Sequence, residues 1–114
     1  MTSETYRLFA HAMAERQQIL CDYDGRHREL CPIILGHTDG KEVALTYQFA
    51  GESNSRPLPP GGDWRCVYLS RVANIRLRRG PWHSGDSHKQ FSTCVKEVDL
   101  DVNPESPYKP RRRL

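Results

Sequence analysis

The chain has 114 residues, 37% hydrophobic and 27% charged, with a formal net charge of +3 at pH 7. That length suits one domain with a modest core; no apolar run approaches the ~20 residues of a membrane span, and residues 1–6 lack the basic start and apolar centre of a secretory leader. Lys109, Arg111, Arg112 and Arg113 supply four positive charges at the end, leaving 13 basic against 14 acidic groups in the rest, so general attraction to nucleic acid would come from the tail and an Arg-rich strand rather than the body.

Tyr6, Phe9, Ala10, Met13 and Ala14 recur at helical spacing, with Arg7, Glu15 and Arg16 off the stripe. This predicts an amphipathic helix, capped by Thr2 or Ser3, with Glu4 favouring the first turn. From Gln18 the period is two: Ile19, Cys21 and Tyr23 alternate with Gln18, Leu20 and Asp22, and Asp24-Gly25 turns the chain into a strand over 27–35. Pro32 lacks a ladder donor and belongs at an edge or a bulge. Residues 36–40 read as a second turn. Val43, Leu45, Tyr47 and Phe49 then alternate with Glu42, Ala44, Thr46 and Gln48, which predicts a strand with Tyr47 in the core.

Residues 51–63 form a long irregular loop. Strands follow at 65–69 and 74–78, joined by a tight connection over 70–73. The second of them alternates Ile75 and Leu77 with Arg76 and Arg78, a core strand with a cationic outer row. Residues 80–90 are again irregular, and Val98, Leu100 and Val102 alternate with Glu97, Asp99 and Asp101 in a last acidic strand. One helix followed by short strands, without interleaved helices, excludes a doubly wound sheet and predicts a mainly β fold, a small antiparallel barrel with the helix packed at one end. Residues 1–103 make this domain, and the Pro- and Arg-rich residues 104–114 a disordered basic tail.

The four cysteines, Cys21, Cys31, Cys66 and Cys94, include no C-x-x-C pair. Cys21, Cys31 and Cys66 lie in strand-patterned runs and read as buried free thiols of a reducing, cytoplasmic protein. His83, His88 and Cys94 offer imidazole and thiolate for zinc, and Cys94, His88 and Asp86 could pair as nucleophile, base and orienter. Their spacing matches no defined metal or catalytic pattern, so surface histidines with a packed thiol are expected, with neither metal nor cofactor.

Several stretches are similar to the WYL domain, a bacterial ligand-sensing module with a small Sm-like barrel. Residues 12–23, Ala-Met-Ala-Glu-Arg-Gln-Gln-Ile-Leu-Cys-Asp-Tyr, resemble its helix ending in a basic residue and its first strand with a late Tyr. Residues 28–35, Arg-Glu-Leu-Cys-Pro-Ile-Ile-Leu, resemble its Arg-x-x-x-Pro-x-x-Leu strand, and residues 68–75, Tyr-Leu-Ser-Arg-Val-Ala-Asn-Ile, its Leu-Asp-Arg-Ile element. The resemblance spans about residues 8–79. Leu45-Thr46-Tyr47-Gln48-Phe49 stands where the family has Trp-Tyr-Leu, and no winged helix-turn-helix precedes the barrel, so direct operator binding is not expected. The resemblance implies an Sm-like (Src-homology-3-type) barrel that senses nucleotide or nucleic-acid-derived ligands through basic residues, a role that falls by position to Arg28 and Arg71.

Planar, permanently charged guanidiniums suit phosphates and carboxylates. The candidate site is therefore Arg28, Arg65, Arg71, Arg76 and Arg78, with Trp82 as a stacking platform. The expected function is noncatalytic, regulatory binding of an anionic small ligand or single-stranded nucleic acid, with no membrane partner. The alternative is a small interaction protein that forms a homo-oligomer or docks through its helix or a strand edge. Convergence of the arginines on one concavity favours the first, and scattered arginines the second.

Overall fold

The computed structural model describes residues 3–52, 62–83 and 94–102, and the backbone of residues 112–113. Helix α1, Glu4–Glu15, starts at Ser3, whose Oγ accepts from the Tyr6 N–H at 3.1 Å. The Glu42 carboxylate accepts in turn from the Ser3 N–H at 2.9 Å and from its hydroxyl. The helix ends at Arg16, in the left-handed region at φ 53°, and the Gln17 N–H donates to Ala12 O. Its buried side is Tyr6, Phe9, Ala12 and Met13, so Ala12 rather than Ala14 completes the stripe.

Six strands run antiparallel in one sheet: β1 Gln18–Tyr23, β2 Arg26–Thr38, β3 Lys41–Gly51, β4 Asp63–Tyr68, β5 Val72–Arg78 and β6 Glu97–Asp101. Asp24-Gly25 and Asp39-Gly40 close the first two hairpins with both central residues at positive φ, near 52° and 80°. This two-residue turn matches the twist of the strands it joins. β2 carries β3 along one side and, on the other, β1 as far as Leu30 and β6 from Ile34. Pro32, which cannot donate, falls in the changeover, and the β2–β3 register slips between Pro32 and Ile34. The turn expected over 36–40 is confined to Asp39-Gly40. Gly36 is inside β2, where an added Cβ would stand 1.9 Å from Glu97 O, because β6 passes directly against it.

The expected barrel is not closed. The strand path runs β4-β3-β2-β1-β5, and β4 and β5 at its ends do not pair. A single 3-10 turn, Leu69–Arg71, joins them. At the gap the Tyr68 N–H donates to Tyr23 Oη at 3.1 Å, while the Asp24 N–H donates to Arg71 O at 3.3 Å and carries the β1–β5 pairing one step further. Alternation signals strands, whereas closure depends on tilt and stagger that alternation does not encode. The core joins Phe9 and Met13 of α1 to Ile19, Leu30, Ile34, Leu35, Val43 and Val67 of the sheet.

Three other expectations are corrected. Tyr47 is only half-buried, while Thr46 and Gln48 are fully buried; Phe49 is an extra residue in the β2–β3 ladder, and mid-strand both faces are covered, since Val43 and Ala44 are each 0% exposed. Cys66 is not a buried thiol but exposed and bonded to Cys94, with Cα atoms 5.6 Å apart, because β4 turns it to the outer face where Cys94 arrives. Cys21 and Cys31 are buried free thiols, yet the disulfide removes the all-thiol argument for a reducing compartment. Finally, the backbone of Arg112–Arg113 forms β7, parallel to β6, within the expected disordered tail; residues 103–111 and 114 lie outside the described residues. Among the described residues no helix is long and apolar enough to cross a membrane.

Candidate anion site

Directly opposed residues in a ladder share a face, as do residues two apart on one strand. The pairs Cys21↔Arg28, Ile19↔Leu30, Leu30↔Gln48, Gln48↔Asp63 and Thr46↔Arg65 therefore place Tyr23, Cys21, Arg28, Gln48 and Arg65 on the inner face. Near its apolar part lie Ile19, Leu30 and Val67. Beyond them the row turns polar.

Arg28 is the centre of that polar end. It is 4% exposed, its guanidinium carbon lies 4.8 Å from the centre of the Tyr23 ring, and its buried Nε has no hydrogen-bond partner. Among the described residues it forms no hydrogen bond or ion pair. Burial, reinforced by the Arg65 charge, holds it below its ordinary pKa. Arg65, its side chain 13% exposed, donates from Nε to Gln48 Oε1 at 3.3 Å and from NH1 to Asp63 Oδ2 at 3.0 Å. Gln48 is held by its own amide, which donates to Ala50 O and Glu52 O at 3.1 and 2.9 Å. This fixes the end of β3 beside Arg28.

Arg71 meets the same ring from the 3-10 turn, its guanidinium carbon also 4.8 Å from the Tyr23 centre. Its side chain is half exposed and binds both oxygens of Asp24, the Nε contact at 2.8 Å. That bond raises its pKa. The two arginines singled out by position thus gather on one tyrosine, but only Arg28 lacks a carboxylate.

The other expected members lie elsewhere. Arg76 and Arg78 stand opposite Leu20 and Gln18, on the outer face. Arg78 binds Gln18 Oε1 at 2.8 Å and Glu29 Oε1 at 2.7 Å, whereas Arg76 is exposed. Trp82, half-buried, packs near Arg16, whose guanidinium carbon is 5.9 Å from its ring. His83 lies over Phe49 with centroids 4.3 Å apart, and its N–H donates to Cys31 Sγ at 3.3 Å. Cys94 is spent in the disulfide, so it offers no thiolate to a metal or to a His–Cys pair. His88 and Asp86 lie outside the described residues, among which no cluster of three or more His, Cys, Asp or Glu could hold a metal ion.

Sequence reasoning missed Tyr23 and Gln48 as site residues. One signal was present: Arg28 falls in phase with Leu30 and, across the hairpin, with Cys21 and Ile19, so a charge stands where the pattern calls for an apolar residue. No protein-family model, no curated protein and no solved structure matches this chain.

Proposed function

We propose that this protein is a noncatalytic, regulatory binding module for an anionic ligand, a nucleotide or single-stranded nucleic acid, held through phosphate by Arg28 with Arg65 and Arg71 beside it. The observation that carries the reading is the buried Arg28 side chain, whose Nε has no hydrogen-bond partner and which forms no ion pair among the described residues, Asp24 acting on it only at a distance. A desolvated cation without a partner costs several kcal/mol, which an entering anion would offset. The Tyr23 ring compensates only in part, since cation–π contact contributes about 2 kcal/mol when desolvated.

The similarity to the WYL domain supports the same reading from another side, because its position for Arg71 and that for Arg28 fall on one ring. The Sm-like kinship belongs to this proposal too. A meander β1 to β4, a one-turn link and a fifth strand returning to β1 are in keeping with it, in an open rather than closed form. The interaction-protein alternative rests on the outer edges of β4 and β5. It is disfavoured at β5, where Asn74 and Ile75 bulge opposite Cys21 and Asn74 adopts φ 53°, a distortion that discourages strand addition.

The test is calorimetric titration with nucleoside monophosphates and short oligonucleotides at two salt concentrations. Binding should weaken as salt rises. Arg28→Gln should cost about 1–3 kcal/mol of affinity, the range for charge-assisted hydrogen bonds, while Arg76→Gln on the outer face should cost far less. Absence of binding at low salt, or binding indifferent to Arg28→Gln, transfers the function to the interaction reading.

A further inference from the structure

The depth of Arg28 bears on which phosphates can reach it. The Arg28 residue is 4% exposed, so its side chain is recessed, and of its guanidinium nitrogens Nε is wholly buried without a partner. Arg65 beside it already donates to Gln48 and Asp63. Tyr23 is itself 4% exposed, so its ring offers no free face to a base. The half-buried aromatics Tyr47 and Trp64, 5.3 Å apart edge to face, occupy the outer side of the sheet. Among the described residues the inner site therefore offers charge without a free stacking platform that would hold successive bases.

A recessed donor discriminates by shape. A phosphodiester inside a strand carries one charge and a sugar on each side, so it can approach only a donor that stands at the surface. A terminal phosphate monoester is substituted on one side alone, presents three oxygens, and carries up to two charges at neutral pH, its second pKa being about 6. It can enter end first and accept from the planar fork in a bidentate manner.

Resting on the anion-site reading above, we propose that the ligand is recognised by a terminal phosphate monoester, so that the protein reads the phosphorylated end of a nucleotide or short strand and ignores its internal linkages. The experiment compares four probes on the intact protein by competition fluorescence anisotropy: a 5′-phosphorylated trinucleotide, the same trinucleotide with a 5′-hydroxyl, a nucleoside 5′-monophosphate and a 3′,5′-cyclic nucleotide. The phosphorylated trinucleotide should bind at least tenfold more tightly than its hydroxyl counterpart. The monophosphate should compete and the cyclic diester should not.

Arg28→Gln should erase the tenfold difference, and Arg28→Lys, which keeps the charge but loses the fork, should shrink it. Equal binding of the two trinucleotides, with both dependent on Arg28, overturns end recognition and leaves the anion site standing. Failure of all four probes overturns both. Because the decisive comparison is made on the unmodified chain, it stands even if an Arg28 variant does not fold.

Discussion

Cys21 faces Arg28 across the first hairpin, 2% exposed, and burial pushes its thiol from 9.0 up to about 11, with the Arg28 charge pulling the other way. Cys31, fully buried, is likewise pushed up to about 11, although the His83 N–H on its sulfur favours the thiolate. Both folded-state values lie above that of the unfolded chain, so the neutral thiols stabilise the fold fully below pH 9 and lose that contribution as pH rises from 9 to 11. Such a rise amounts to at most about 3 kcal/mol per thiol. Urea denaturation at pH 8 and pH 10.5 should show the decline, and a Cys21→Ala, Cys31→Ala double variant should show less of it. Equal declines would mean that other groups carry the alkaline loss. Both thiols should also resist alkylation in the folded protein at pH 8, since the thiolate is the reacting form.

Among the elements, β2 bears the most structural demand, because it holds β3 on one side and both β1 and β6 on the other. Its three special positions do different things. Arg28 stands at the candidate site, Pro32 marks the changeover between neighbours, and Gly36 lets β6 approach. Gly36→Ala would drive a methyl to 1.9 Å from Glu97 O and 2.8 Å from Val95 Cγ1, backbone and packed side chain that must both move. A loss above about 2 kcal/mol is expected, with β6 displaced from β2. Gly25→Ala is the contrast: open space surrounds it, but φ is 80°, so only backbone strain of about 1 kcal/mol is expected. Measuring the two by denaturant midpoint separates close approach from conformational freedom, and a milder effect at Gly36 than at Gly25 would contradict the β2–β6 contact.

For the whole molecule, the Cys66–Cys94 disulfide ties edge strand β4 to the segment leading into β6 across a sequence separation of 28. Restricting an unfolded loop of that length stabilises the native state by about 3–4 kcal/mol on the chain-entropy account. That is a large share of the 5–15 kcal/mol typical of a folded domain. Reduction should therefore lower the denaturation midpoint markedly, Cys66→Ser should reproduce the loss, and reductant should then have no further effect on that variant. A reductant-sensitive Cys66→Ser protein would show that another bond is responsible. The β-sheet itself should survive at low temperature, because its central strands pair over their length without the crosslink.

The sequence by itself determined the helix with a cap at Thr2 or Ser3, the hairpin at Asp24-Gly25, the strands and the short turn between β4 and β5, because these depend on periodicities and turn chemistry within a few residues. It also carried the anomaly at Arg28, an ionic residue in an apolar phase. What only the tertiary structure decided were the relations between distant segments. β6 returns to β2 beside Gly36, Cys94 reaches Cys66, and Tyr23 bridges the gap that a barrel would have closed with a ladder. The faces of β3 were decided there too, since one bulge at Phe49 and the cover on both sides override simple alternation. The arginines divided for the same reason: a row of charges in sequence names residues, but strand pairing assigns Arg28 and Arg65 to the inner face and Arg76 and Arg78 to the outer one, and only the folded structure shows that Arg28 is the one buried with an unpartnered Nε.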